Sequence, residues 1–186
     1  DTTRIIFNIV DILAGIGLIV SALSYTGEGV GFSRELLHFA GGNIYLLLVL
    51  GAFTSFILGM GMTSSACYIF LAVTLGPALI EGGLNPIGAH LFILYWGLIS
   101  FITPPVALAA IAAASIAKSD PWKTGIWAMR LGLINFVLPF LFVLNPTLIL
   151  IGEPLHILHD VITACFSIWL LAAGLEGWLY GFGRIG

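Results

Sequence analysis

The sequence predicts an all-α, polytopic membrane protein with a re-entrant helical hairpin and a discontinuous transmembrane helix. Three observations predict it. The chain is 60% hydrophobic and 8% charged over 186 residues, whereas soluble domains carry about 25% charged residues. The stretch LGMGMTSSAC, Leu58 to Cys67, sets two glycines and three successive hydroxyls inside an apolar block. A second stretch, FITPPVALAA from Phe101 to Ala110, sets two prolines in the middle of another.

So apolar a composition makes lipid the solvent. Crossing about 30 Å of hydrocarbon takes about 20 apolar residues as helix, so the chain has room for roughly four to six crossings. The formal net charge is -3 and there is no basic patch, which excludes nucleic acid as a partner. Cys67 and Cys165 both sit in apolar blocks and show no disulfide or metal spacing. The opening DTTRIIFNIVD has no cleavable-signal layout and no starting methionine, so the expectation is a segment of a longer protein.

In order, Ile5 to Tyr25 reads as a first span and Thr26 to Asn43 as a polar, Gly-rich connector with Glu28, Arg34, Glu35 and His38. Residues 44–82 form the hairpin. Its first arm, Ile44 to Leu58, is roughly 22 Å long as helix and therefore short for a crossing. The second runs from Ala66 to Ile80, is interrupted by Gly76-Pro77 and ends at Glu81-Gly82-Gly83. Two full spans with a tight loop are the competing reading. Arm length favours the hairpin, and so does the absence of charge from Asn43 to Ile80. A non-helical tip at membrane depth needs cover from protein or a polar cavity.

Residues 86–117 read as the discontinuous helix, broken at Thr103-Pro104-Pro105. Residues 118–130 are a charged amphipathic connector on the cytoplasmic side, with Asp120 as cap and Pro121 at the first helical position. Residues 131–186 carry the last two spans, turned by Asn145-Pro146. With Arg4 inside, Lys118, Lys123, Arg130 and Arg184 also fall inside and only Arg34 falls outside, as the positive-inside bias requires. Trp122, Trp127, Trp178 and Tyr180 fit an aromatic belt at that interface.

Chemistry concentrates at the two breaks. Proline removes a backbone donor and clashes with the carbonyl one turn back, and the residue before it is restricted as well. Carbonyls near Ser100 to Thr103 are therefore expected to lose their partners, and the tip has a similar surplus of polar groups. Broken transporter helices use such carbonyls to hold cations, while half-helix amino ends face anionic groups. Thr63, Ser64, Ser65, Ser100 and Thr103 thus form a candidate ion and substrate region. The competing reading is that both breaks serve packing.

Elsewhere, Asp11 reads as a partner of Arg4, and His90 as an interfacial polar residue. Glu153, His156, His159 and Asp160 stand at helical spacing after Pro154 and read as interfacial residues rather than a zinc site. The run Ala107 to Ser115 reads as close helix packing. No histidine or acid is placed near the tip serines by sequence, so an enzyme is not expected, and no cofactor is expected.

The stretch from LGMGMTSSACYIF through ISFITPPVALAA to DPWKTG and PFLFVLNP resembles the carboxyl-terminal repeat of the large membrane subunit (DctM-like) of tripartite ATP-independent periplasmic (TRAP) transporters. It is most similar to the fused permeases that work with TAXI-type receptors, and Leu155 onward is similar to their extra carboxyl-terminal helix. The resemblance implies one inverted repeat of an elevator-type, sodium-coupled importer of organic anions, in the bacterial inner membrane. It also implies as partners a periplasmic solute-binding protein, the remaining permease repeat and a small membrane subunit. Carried over by position, the candidate ion- and substrate-binding residues are Gly59, Gly61, Thr63, Ser64, Ser65, Ser100, Thr103 and Pro104. Sodium is expected at Gly61, Ser64, Ser65 and Thr103. The fused family usually reads LGMG-x-PTTAAY at the tip, so Thr63 stands where proline is expected. A proton-coupled transporter and a non-transporting membrane anchor or assembly subunit remain as alternatives.

Overall fold

The computed structural model describes residues 10, 14–15, 17–18, 21–22, 25–60, 62–179 and 183–184. Most of the expected first span lies outside them, as do Arg4, Asp11, Gly61 and Tyr180. Among the described residues the fold is helical apart from one two-residue strand pair, Trp178–Leu179 with Gly183–Arg184.

The polar stretch after Tyr25 is itself helical: α1 spans Glu28–Ala40. Ser33, Leu36 and Ala40 lie buried on one face, while Arg34, Glu35 and His38 are exposed, the 3.6-residue period of an amphipathic helix. Two helices follow, joined by a short turn. The first, α2, spans Ile44–Gly59, and the second is split into α3, Ser64–Thr74, and α4, Gly76–Glu81. They run antiparallel, because Leu47 packs against Gly82 at the base and Gly51 faces Leu75 and Leu79 higher up. Pro77 withholds an N–H at the α3/α4 junction. There the buried Ser33 hydroxyl donates to the Thr74 carbonyl at 2.6 Å and fastens α1 to the second arm.

The discontinuous helix follows as α5, Pro86–Ile99, and α6, Leu108–Ala117. Then come α7, Pro121–Leu131, and α8, Ile134–Leu144. A short 3-10 turn, Pro146–Ile149, leads to α9, Pro154–Glu176. Four of these helices begin at a side chain that can accept from the first turn. Asn43, Thr63, Asn85 and Asp120 each hold extended backbone and accept from N–H groups of α2, α3, α5 and α7, which satisfies donors that the helix itself leaves orphaned.

Helix α5 is the axis of the packing. It runs alongside α2 in the same direction, with Phe92 near Gly51 and Gly97 against Gly59. Against α3 it runs the opposite way. On its other side α8 returns antiparallel, and Phe92, Trp96, Phe136 and Phe140 interlock edge to face, with centroids 5.3 to 5.7 Å apart between the two helices. Leu48, Leu71, Leu75, Leu79, Phe92 and Ile93 are fully buried there. Burying a side chain of this size stabilises by about 1.5–3 kcal/mol in water; within a bilayer, close packing replaces much of that drive.

Among the described residues two stretches are long and apolar enough to cross a bilayer, Pro121–Leu144 with 24 residues and Pro154–Glu176 with 23. Only a tight turn at Gly132-Leu133 separates α7 from α8, so the segment expected as a connector continues directly into the next helix. Helix α9 stands off from the rest, with Leu155, Leu158, Ile162 and Phe166 all more than half exposed. It is fastened at two places: Thr147 donates to Asp160 at 2.6 Å, and Arg130 reaches Glu176 at 3.7 Å and donates to the Leu175 carbonyl at 3.2 Å.

Candidate ion and substrate site

The packing around α5 brings the two breaks together. A Cβ placed on Gly59 would stand 2.5 Å from the Gly97 carbonyl oxygen, and one placed on Gly97 would stand 2.6 Å from Cys67 Sγ. The last turns of α2 and α5 therefore meet backbone to backbone, and the first turn of α3 sets the Cys67 sulfur against Gly97. Gly51, Ser55 and Gly59 recur every fourth residue along the buried face of α2, the spacing that lets membrane helices approach closely.

At the tip, Thr63 holds φ -69 and ψ 155 and caps α3, its hydroxyl accepting from Ala66 N–H at 3.3 Å. Ser64 and Ser65 form the first turn of α3 and are exposed. Their backbone N–H groups belong to the positive end of a helix. Gly59 is the last residue of α2 and is buried, and Gly61 lies outside the described residues.

At the break, the chain leaves α5 at Ser100, passes a cis Pro104-Pro105 bond and re-enters helix after Ala107, which holds φ 36. Ser100 and Thr103 are buried, whereas Pro104 is half-buried. The carbonyls here are not free in the way the two prolines suggest. Ser100 Oγ donates to Gly97 O at 2.8 Å and Thr103 Oγ1 to Ile99 O at 2.9 Å. Ala107 N–H bonds Thr103 O, and Ala109 N–H reaches back to Phe101 O at 3.0 Å. The unwound turn thus satisfies much of its own backbone, the back-bonding that Ser and Thr offer in helices. Each hydroxyl has spent its proton on a carbonyl, which leaves oxygen lone pairs as its remaining capacity.

Sequence reasoning passes over several neighbours of this region. Gly125 of α7 is buried over the break, and a Cβ there would stand 3.0 Å from Pro104 Cγ. His90, read from the sequence as an interfacial polar residue, has a partner the sequence does not show: Tyr68 Oη and His90 Nδ1 lie 3.2 Å apart and join α3 to α5. Ser55 is fully buried, and its Oγ has no hydrogen-bond partner. The glycine at Gly125 and the fourfold spacing through Ser55 are the only signals the sequence offers for them. At α9, Glu153 pairs with His156 at 3.9 Å and His159 with Asp160 at 3.0 Å. Among the described residues no group of three metal-ligating side chains gathers.

A chain this apolar and predominantly helical is a membrane protein. It belongs to the DctM component family of the tripartite ATP-independent periplasmic transporters, whose family model matches residues 1–154. That family is one of membrane transport components, not of enzymes. No curated protein and no solved structure matches the chain significantly.

Proposed function

We propose that this chain is the carboxyl-terminal repeat of a sodium-coupled TRAP permease that imports organic anions, chiefly carboxylates, delivered by a periplasmic receptor. In this reading α2 to α4 form a re-entrant hairpin that dips into the bilayer and leaves on the same side. It moves with the discontinuous helix as one rigid body past a static scaffold, in the bacterial inner membrane. The remaining repeat and a small membrane subunit, fused or separate, complete the transporter. Helix α9, which begins where the family match ends, supports the fused, TAXI-receptor type with its extra carboxyl-terminal helix.

The observation that carries the proposal is the backbone contact of Gly59 with Gly97. Together with Cys67 Sγ against Gly97, it sets the amino end of α3 beside the carboxyl end of α5. The first end carries partial positive charge and the second partial negative charge. That pairing suits an anionic substrate at Ser64 and Ser65 and a cation at the carbonyl end near Ser100 and Thr103, the division of labour of broken transporter helices. The proposed sodium shell is Gly61, Ser64, Ser65 and Thr103 through their hydroxyl and carbonyl oxygens, while the backbone N–H groups of Ser64 and Ser65 face the anion.

Sodium is favoured over protons by what is buried. The described buried polar side chains are Ser33, Ser55, Thr74, Ser100 and Thr103, all hydroxyls. Hydroxyls offer oxygen ligands but do not titrate near neutral pH, whereas proton relays in membranes use Asp, Glu or His. The experiment is uptake of radiolabelled carboxylates by the full-length permease with its receptor, in vesicles under a sodium gradient or a proton gradient. Accumulation driven by sodium alone supports the reading. Accumulation driven only by protons overturns it.

A further inference from the structure

Between the end of α8, the 3-10 turn and α9 lies an open cavity of about 240 Å³. Its polar lining is Asn145, Asp160, Thr163 and Ser167, set among three apolar side chains. Asp160 stands six residues into α9, roughly 9 Å along the helix axis, in one of the two stretches apolar enough to cross a bilayer. Its partner Thr147 belongs to the 3-10 turn before α9, so the carboxylate stands at the end of the span beside that turn, within reach of ions from water.

Counting donors decides what the cavity accepts. Thr163 Oγ1 donates to the carbonyls of His159 and Asp160, both at 3.0 Å. Ser167 Oγ donates to Thr163 O at 2.7 Å. Asn145 Nδ2 donates to Leu141 O at 3.1 Å. Thr147 Oγ1 donates to Asp160 Oδ2 at 2.6 Å, and His159 Nδ1 stands 3.0 Å from Oδ1. The hydroxyl protons of the wall are thus committed within it. What remains is mainly acceptor capacity: the Asp160 carboxylate, with about four lone-pair sites of which two are used, the Thr163 and Ser167 oxygens and Asn145 Oδ1, against one N–H left on Asn145. No lysine or arginine is among the lining residues.

We infer that this cavity binds a small hard cation, sodium, through Asp160 with Thr163, Ser167 and Asn145. A single carboxylate among neutral oxygens suits a monovalent ion better than calcium, whose affinity rises with the number of charged ligands. The volume leaves room for several waters on the ion, since each takes about 30 Å³. Asp160, Thr163 and Ser167 lie on α9, outside the family match, whereas Asn145 ends α8 within it; the site is separate from the breaks around α5.

Equilibrium binding of radioactive sodium to the purified full-length permease tests this. Asp160→Asn is expected to lower the number of sodium ions bound by one. Ser167→Ala, whose hydroxyl bonds only within its own helix, is expected to weaken that ion several-fold without disturbing the fold. Thr147→Val removes the hydrogen bond to Asp160 but keeps the carboxylate, and is expected to keep the count. Thr103→Val, at the break, is expected to leave this ion in place, which separates the α9 site from the one around α5. An unchanged count in Asp160→Asn, an unchanged affinity in Ser167→Ala, or a loss in Thr147→Val equal to that in Asp160→Asn overturns the inference.

Discussion

Gly59 and Gly97 meet backbone to backbone: a Cβ on Gly59 would lie 2.5 Å from the Gly97 carbonyl oxygen and 3.0 Å from its Cα. Neither atom is the end of a flexible side chain, so a methyl group there must part α2 from α5. Gly59→Ala is expected to destabilise the fold by about 1–3 kcal/mol, the usual range for overpacking, and to abolish transport. Gly31→Ala in α1, where nothing stands within 4 Å, is expected to be neutral or slightly stabilising, since Gly in a helix costs about 0.5–1 kcal/mol relative to Ala. Thermal unfolding of the detergent-purified permease, followed by size-exclusion chromatography, separates the two.

Gly125 couples α7 to the break. Its Cβ would press on the Pro104 ring at 3.0 Å and sit 3.6 Å from the Ala107 Cβ. Gly125→Leu is expected to displace α7 from the unwound turn and to reduce uptake at least tenfold, which corresponds to about 1.4 kcal/mol, while the protein still assembles in the membrane. Uptake normalised to the amount of folded permease is the readout. Full activity in Gly125→Leu would show that α7 need not rest on the break.

The residue that departs from the family pattern, Thr63, already holds φ -69 and ψ 155, where proline would hold φ near -65°. Thr63→Pro is therefore expected to fold and transport. Loss of the cap to Ala66 and the lower entropy of the unfolded chain each amount to about 1 kcal/mol and oppose one another. Thr63→Ala loses the cap without that gain and is expected to be the less stable of the two. The order of their melting temperatures checks the assignment.

Two buried serines are expected to behave oppositely. Ser33→Ala strips the Thr74 carbonyl of its donor at the Pro77 kink and should cost about 1–3 kcal/mol, the desolvation penalty of an unpaired buried group. Ser55 has no such partner, so Ser55→Ala should leave stability unchanged or raise it. Chemical denaturation of both variants beside the wild type measures the contrast.

The helix interruptions were legible because they rest on local chemistry. Glycine and hydroxyls at Gly59–Ser65 and proline at Thr103–Pro105 act on their own backbone, and the helices stop there. Asp120 with Pro121 was legible for the same reason, and the cap bond to Lys123 N–H measures 2.8 Å. What depends on tertiary partners was not. Nothing in the pattern says that Gly97 meets Gly59, because glycine is ordinary in membrane helices. The helix from Glu28 to Ala40 was hidden by Gly27, Gly29 and Gly31, although Ser33, Leu36 and Ala40 already carry its period. The two prolines likewise pointed to open carbonyls. Only the folded turn reveals that Ala107, Ala109, Ser100 and Thr103 fill several of them.

The central claim is that the tip of α3 and the end of α5 together hold a coupling sodium beside an organic anion. The most direct measurement is the sodium dependence of carboxylate uptake by the reconstituted permease and its receptor, for wild type and for Thr103→Val. Removing one oxygen ligand should raise the half-saturating sodium concentration by about tenfold, equivalent to about 1.4 kcal/mol, with uptake recovering at high sodium. A Thr103→Val protein with the sodium dependence of wild type, or wild-type uptake that persists when choline replaces sodium, would contradict the account.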